Sequence, residues 1–156
     1  MNRTRIHRAT ADRLIKELLA RVNGVNDSVD YLHRVSEVWV FGSYLSKRTR
    51  LGDVDLWIKL DLAVDDEELK AYCTDLADMG FSWNRFDEAR EILHVLRNNN
   101  PCLHIWVSPL WGEKELLKAA EFKQIFGKKP ELFPPGFKQP AHRNLRVSEG
   151  VKNLLR

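Results

Sequence analysis

The chain has only two cysteines, Cys73 and Cys102, without the pairing or spacing of a zinc site or a disulfide framework. They read as reduced thiols of a cytoplasmic protein. No apolar run approaches the ~18 residues of a membrane-spanning helix, so no membrane is expected among the partners. The N-terminus, Met1 to Arg8, is basic, but no apolar signal core follows it. Internal repeats and low-complexity segments are lacking as well. The net charge of +3 is too mild to demand a polyanionic partner. What remains is ordinary for a soluble globular protein, with 44% hydrophobic and 30% charged residues in 156. A chain this long buries roughly 68–70% of its unfolded surface, enough for a core without staples. The expected organisation is one domain over 1–127 and a Pro-rich arm with a basic tail over 128–156.

The most informative stretch is Val38-Trp39-Val40-Phe41-Gly42-Ser43, followed ten residues on by Asp53-Val54-Asp55-Leu56-Trp57-Ile58. The first half reads as a buried strand that ends abruptly at Gly42. Glycine permits a sharp turn and lets a phosphate approach the main chain. A helix starting near Ser43 would leave backbone N–H groups free for an anion, and the Ser43 hydroxyl could add a hydrogen bond. Taken alone, Gly42-Ser43 is a turn with an N-cap serine; the carboxylates downstream favour the phosphate reading. Alternation along a strand puts Asp53, Asp55 and Trp57 on one face, with Val54, Leu56 and Ile58 on the other. Two carboxylates about 7 Å apart repel each other unless a cation compensates, and Mg²⁺ suits oxygen ligands while keeping positions open for phosphate. Lys47, Arg48 and Arg50 stand in the connection and could neutralise triphosphate charge. Trp57 either borders a base or acceptor pocket or packs in the core.

An amphipathic helix is expected over 9–22, with Thr10 as N-cap and Asn23-Gly24 as stop. A short helix or turn over Val29–Arg34 leads to a strand over Val35–Phe41. A second strand spans Asp53–Leu60. Helix 67–79 follows, with the acidic cluster from Asp61 to Glu68 read as favouring its N-terminus. Residues 81–88 read as irregular, with Trp83 and Phe86 at the core edge. A hairpin is expected from Ile92–Arg97 and Cys102–Ser108, placing His94 opposite His104 and both on a face with Trp106. A helix over 113–126, stopped by Gly127, completes the domain. Pro130, Pro134, Pro135 and Pro140 keep 128–142 irregular. The tail beyond Lys138 is basic and offers a contact for nucleic acid or an acidic partner. The order of elements gives an α/β (α+β) fold: a small mixed β-sheet packed by helices.

The apolar strand, Gly-Ser, the interval and Asp-apolar-Asp resemble the signature of the DNA polymerase beta-like nucleotidyltransferase superfamily, whose small bacterial members consist mostly of this core. The resemblance covers residues 38–58 and extends through the later strands to about 108. It implies Asp53 and Asp55 as metal ligands for Mg²⁺ or Mn²⁺, and Gly42 and Ser43, with Lys47 and Arg48, as the phosphate site of a nucleoside triphosphate, with ATP as the first candidate. The reaction implied is transfer of a nucleoside monophosphate to a hydroxyl of a partner protein, an RNA end or a small molecule, with release of pyrophosphate. Small relatives often stand beside a toxin-like helical partner as antitoxins. The family takes a third carboxylate from a later strand; here the matching position in Leu103-His104-Ile105-Trp106-Val107 is His104. An imidazole is a general base near neutral pH but a poor Mg²⁺ ligand, better suited to Mn²⁺ or Zn²⁺. His104 therefore either replaces the acid or marks a fold that now binds a nucleotide or partner without turnover.

Overall fold

The computed structural model describes residues 5–111 and 121–127. The elements run β1 (Ile6–His7), α1 (Arg8–Asp27), β2 (His33–Phe41), a 3₁₀ turn (Gly42–Leu45), β3 (Arg50–Leu51), β4 (Val54–Leu62), α2 (Asp66–Asp78), α3 (Arg85–Arg97), β5 (Leu103–Ser108) and β6 (Phe122–Phe126). The main sheet has the order β5-β4-β2-β6. β2 pairs antiparallel with both β4 and β6, whereas β4 and β5 are parallel. β1 and β3 form a separate two-stranded ribbon. The architecture is the expected mixed α+β one.

α1 buries Ala11, Leu14, Ile15, Leu18, Val22 and Val25 in one stripe. It runs past the expected stop at Asn23-Gly24 because the stripe continues at Val25. Burying that valine contributes about 1.5–3 kcal/mol, more than the ~1 kcal/mol that Gly24 costs inside a helix. His7, not Thr10, is its N-cap, since β1 feeds directly into the helix. Of the short helix or turn expected over 29–34, the structure forms no helix, only bends at 29, 30 and 32 before the strand. Asn26 pins the chain instead: its amide donates to the Val35 carbonyl at 3.0 Å and its Oδ1 accepts from the Val35 N–H at 2.7 Å. β2 then begins at His33, two residues earlier than expected.

Two further expectations fail in the same region. Residues 92–97 belong to α3, and no hairpin joins them to β5. The apolar residues there fit a helical stripe, with Ala89, Ile92 and Leu96 buried. Asn84 caps the helix, accepting from Phe86 N at 2.8 Å and Asp87 N at 3.2 Å, so the segment expected to be irregular is helical from Arg85. A parallel β4–β5 pair also requires a long crossover, which α2 and α3 supply. Asp65 caps α2 through a bond from Glu68 N at 2.8 Å, with Asp66, Glu67 and Glu68 in the first turn, matching the structural reading of that acidic cluster.

The end of the expected helix 113–126 is a strand. Phe122–Phe126 pairs with β2, and Phe41 faces Phe122. The run Phe-Lys-Gln-Ile-Phe favours strand geometry once a sheet edge offers hydrogen bonds. Gly127 ends it with φ +94, close against the backbone of Ser36 and Glu37. The rest of that helix, the arm over 128–142 and the basic tail lie outside the described residues.

The main core lies on one face of the sheet. Val38 and Val40 of β2, Val54, Leu56, Ile58 and Leu60 of β4, and Leu103, Ile105 and Val107 of β5 pack with α1 and α3. A smaller cluster joins Leu32, Ala63 and Tyr72, with Trp83 against it. No helix among the described residues is long and apolar enough to cross a membrane.

Candidate functional site

The opposite face of the sheet carries the chemistry-bearing residues. Because β4 alternates, Asp55 and Trp57 point away from the helices. Phe41 is opposite Asp55 across the antiparallel pair, so the chain turns at Gly42 directly beside that carboxylate. Gly42 adopts φ +74, and a Cβ there would stand 2.5 Å from Asp55 Oδ2. Only glycine fits, on both conformational and steric grounds.

Across the parallel pair, Asp55 is in register with His104. His104 Nδ1 lies 3.4 Å from Asp55 Oδ1, with the carboxylate side chain 25% exposed and the imidazole 57%. The His104 ring packs on Trp106 at a centroid distance of 4.2 Å, and Trp106 packs on Phe41 at 5.4 Å. These rings limit the freedom of the imidazole. Trp57 is buried at 2% exposure in the same aromatic cluster, which assigns it to packing. His94, expected opposite His104, lies on the exposed side of α3, where it lines a cavity of about 380 Å³ with Arg90, Leu93, Leu110 and Trp111.

Asp53 lies immediately before β4, and its carbonyl accepts a bond of 3.3 Å from the Ser43 hydroxyl. That bond ties the two halves of the sequence pattern together. It also occupies the Ser43 proton, so contact with a phosphate requires the hydroxyl to turn. The helix expected at Ser43 is a four-residue 3₁₀ turn. So short a turn sums few peptide dipoles, and attraction for an anion falls to individual N–H groups and nearby cations. Lys47 and Arg48 follow it as exposed residues, with no side-chain hydrogen bond or ion pair among the described residues.

No group of three His, Cys, Asp or Glu among the described residues stands in metal-ligating geometry. Mg²⁺ is commonly held by one or two carboxylates, with water and phosphate filling its octahedron. Asp55 is a partly exposed carboxylate of that kind, with Asp53 two residues before it, and the missing Cβ of Gly42 is what lets Asp55 Oδ2 lie against the turn.

Sequence reasoning missed residues that hold the site from outside the motif. Arg8, at the start of α1, donates to three carbonyls of the loop after Gly42. Tyr44 donates to Asp12 Oδ1, and burial together with that bond pushes its hydroxyl up to about 12. No spacing rule connects Arg8 to Gly42; a basic residue heading an amphipathic helix is an ordinary helix feature. Comparison with protein-family models, curated proteins and solved structures finds no match to this chain. The functional reading therefore rests on the site itself.

Proposed function

We propose that the chain is a metal-dependent nucleotidyltransferase of the polymerase beta-like kind. The observation that carries this reading is the placement of Gly42 against Asp55: a side-chain-free turn beside a partly covered carboxylate, with Asp53 tied to Ser43 alongside. Asp53 and Asp55 would hold Mg²⁺ or Mn²⁺, which supplies charge neutralisation for a nucleoside triphosphate, ATP being the first candidate. Backbone N–H groups at Gly42 and Ser43, with Lys47 and Arg48, would bind its β- and γ-phosphates. An acceptor hydroxyl on a partner protein, an RNA end or a small molecule attacks the α-phosphorus. The new P–O bond forms as the α–β bridging bond breaks, and pyrophosphate leaves with the electron pair. His104 takes the hydroxyl proton. With Nδ1 facing Asp55, its Nε2 is the nitrogen turned to that task, in the logic of a base oriented by a carboxylate.

A second reading is favoured by one observation, the presence of imidazole where a third carboxylate is expected. In it the fold binds a nucleotide or a toxin-like partner without turnover. The discriminating experiment is transfer of α-phosphate label from each nucleoside triphosphate, with Mg²⁺ or Mn²⁺ and cell extract as acceptor source, for wild type, Asp53→Asn and Asp55→Asn. Label transfer abolished by both variants is the result expected of the enzyme. Nucleotide binding without transfer would favour the second reading, and absence of nucleotide binding would overturn the enzyme and the phosphate-site reading of Gly42 and Ser43.

A further inference from the structure

Arg8, with Ile6 and His7 before it, wraps the loop that follows Gly42. The Arg8 guanidinium donates to the Tyr44 carbonyl at 2.8 Å, to the Ser46 carbonyl, and twice to the Arg48 carbonyl at 3.1 and 3.0 Å. Its backbone N–H donates to the Thr49 carbonyl at 2.9 Å. Its charge sits 5.3 Å from the Tyr44 ring centroid, while the Tyr44 hydroxyl is held by Asp12 one turn further along α1. Ile6 and His7 pair with Leu51 and Arg50 and close the loop at its far end.

The bonding pattern is one-sided. Ser43 O accepts from Ser46 N at 3.0 Å and from Ser46 Oγ at 2.6 Å. With the four carbonyls held by Arg8, five of the seven carbonyls from Ser43 to Thr49 are engaged within this clamp. In a trans peptide the N–H points opposite to the C=O. Drawing the carbonyls of Tyr44, Ser46 and Arg48 onto Arg8 thus turns the N–H groups of Leu45, Lys47 and Thr49 away from it. These three peptides present a carbonyl side to Arg8 and an N–H side away from it. An anion is attracted to the second and repelled by the first.

We infer that Arg8 is a positioning residue for the phosphate loop: its guanidinium fork collects the loop carbonyls, so that Ser43, Lys47 and the backbone N–H groups face an incoming polyphosphate. The inference rests on the nucleotide reading above. Arg8 is placed here as a ligand of the protein's own backbone, and its role is distinct from charge neutralisation. A lysine, a point charge on a flexible stem, cannot span three carbonyls as the planar fork does. Arg8→Lys should therefore fail where a purely electrostatic role would let it succeed.

The test is amide hydrogen exchange on the full chain, paired with Mg²⁺-dependent ATP binding, for wild type, Arg8→Ala and Arg8→Lys. In both variants, exchange of the hydrogen-bonded loop amides, Ser46 (donating to Ser43 O) and Arg48 (donating to Ser46 Oγ), should quicken by about tenfold or more, while Val38, Val40, Leu56 and Ile58 keep their protection, as expected for local opening. ATP affinity should fall about tenfold in both variants alike, as expected when a preorganised loop must be ordered on binding. Unchanged loop exchange in Arg8→Ala overturns the clamp even where ATP binds. Full recovery of ATP affinity in Arg8→Lys overturns it in favour of simple charge. If wild type binds no ATP, the nucleotide reading falls, and the exchange comparison still decides whether Arg8 orders the loop.

Discussion

Asp55 and His104 face each other on neighbouring parallel strands, with His104 Nδ1 3.4 Å from Asp55 Oδ1. The imidazole packs on Trp106 and is more exposed than the carboxylate. The pair thus has an inner, more covered member and an outer, accessible one, which is what the proposed general-base role of His104 asks of it.

If His104 accepts the acceptor proton, His104→Ala should lower kcat by about 10²–10⁴-fold, the usual worth of a positioned base. Nucleotide affinity should stay near wild type, because no phosphate contact is assigned to it. Steady-state transfer kinetics beside equilibrium ATP binding separate the two effects. Equal losses in both would show that His104 holds the nucleotide or the metal instead.

Gly42→Ala should damage stability and site together. Its φ of +74 and the 2.5 Å approach of a Cβ to Asp55 Oδ2 require either the loop or the carboxylate to move. Left-handed backbone at a non-glycine residue costs of order 1–3 kcal/mol. At about 2 kcal/mol, Tm should fall by about 4–8 °C for a domain this size. Thermal unfolding reads the first effect, and Mg²⁺-dependent ATP binding the second. An unchanged Tm would mean that the turn relaxes freely.

At the other end of β2, His33 Nδ1 meets Glu88 Oε2 in the interior, and Glu88 Oε1 accepts from Leu32 N at 2.7 Å. Both side chains are more than 90% covered. Removing one partner of a buried pair costs about 3–5 kcal/mol. Glu88→Leu should reach that range, because it also orphans the Leu32 N–H. Glu88→Gln keeps an acceptor for Leu32 and should cost less. Urea unfolding of the two variants checks the order; equal costs would show that the Leu32 bond contributes nothing.

Tyr44 provides an alkaline probe of the Arg8 loop. Burial and the Asp12 contact push its hydroxyl to about 12 from an ordinary 10, so the folded state holds the proton more tightly than the unfolded chain. A raised pKa stabilises fully below pH 10, and the contribution is lost as pH rises from 10 to 12. Burial likewise raises Tyr31 and Tyr72, and the same sign applies to them. Stability should therefore decline over that window, less steeply in Tyr44→Phe. Urea midpoints measured across the window test this, and an identical slope in the variant would assign the decline to other groups.

The site pattern was legible in the sequence because it is local. Alternation fixes Asp55 opposite Leu56 on the strand, and a glycine after an apolar run marks a turn whatever surrounds it. The acidic start of α2 was legible for the same reason: caps and charges act within one helical turn. Residues 92–97 and 122–126 were misread because short apolar runs carry no decisive period. α3 took the first through the Asn84 cap and the crossover that a parallel β5 requires. The free edge of β2 took the second, since a strand there gains hydrogen bonds that a helix would not use.

By itself, the sequence determined an α+β domain and a carboxylate strand after a glycine turn. Only the tertiary structure decided that His104 stands beside Asp55, that His94 does not, and that Arg8 gathers the loop between Gly42 and Arg50. Those relationships join segments tens of residues apart. They follow from sheet order and helix packing, which no local spacing encodes.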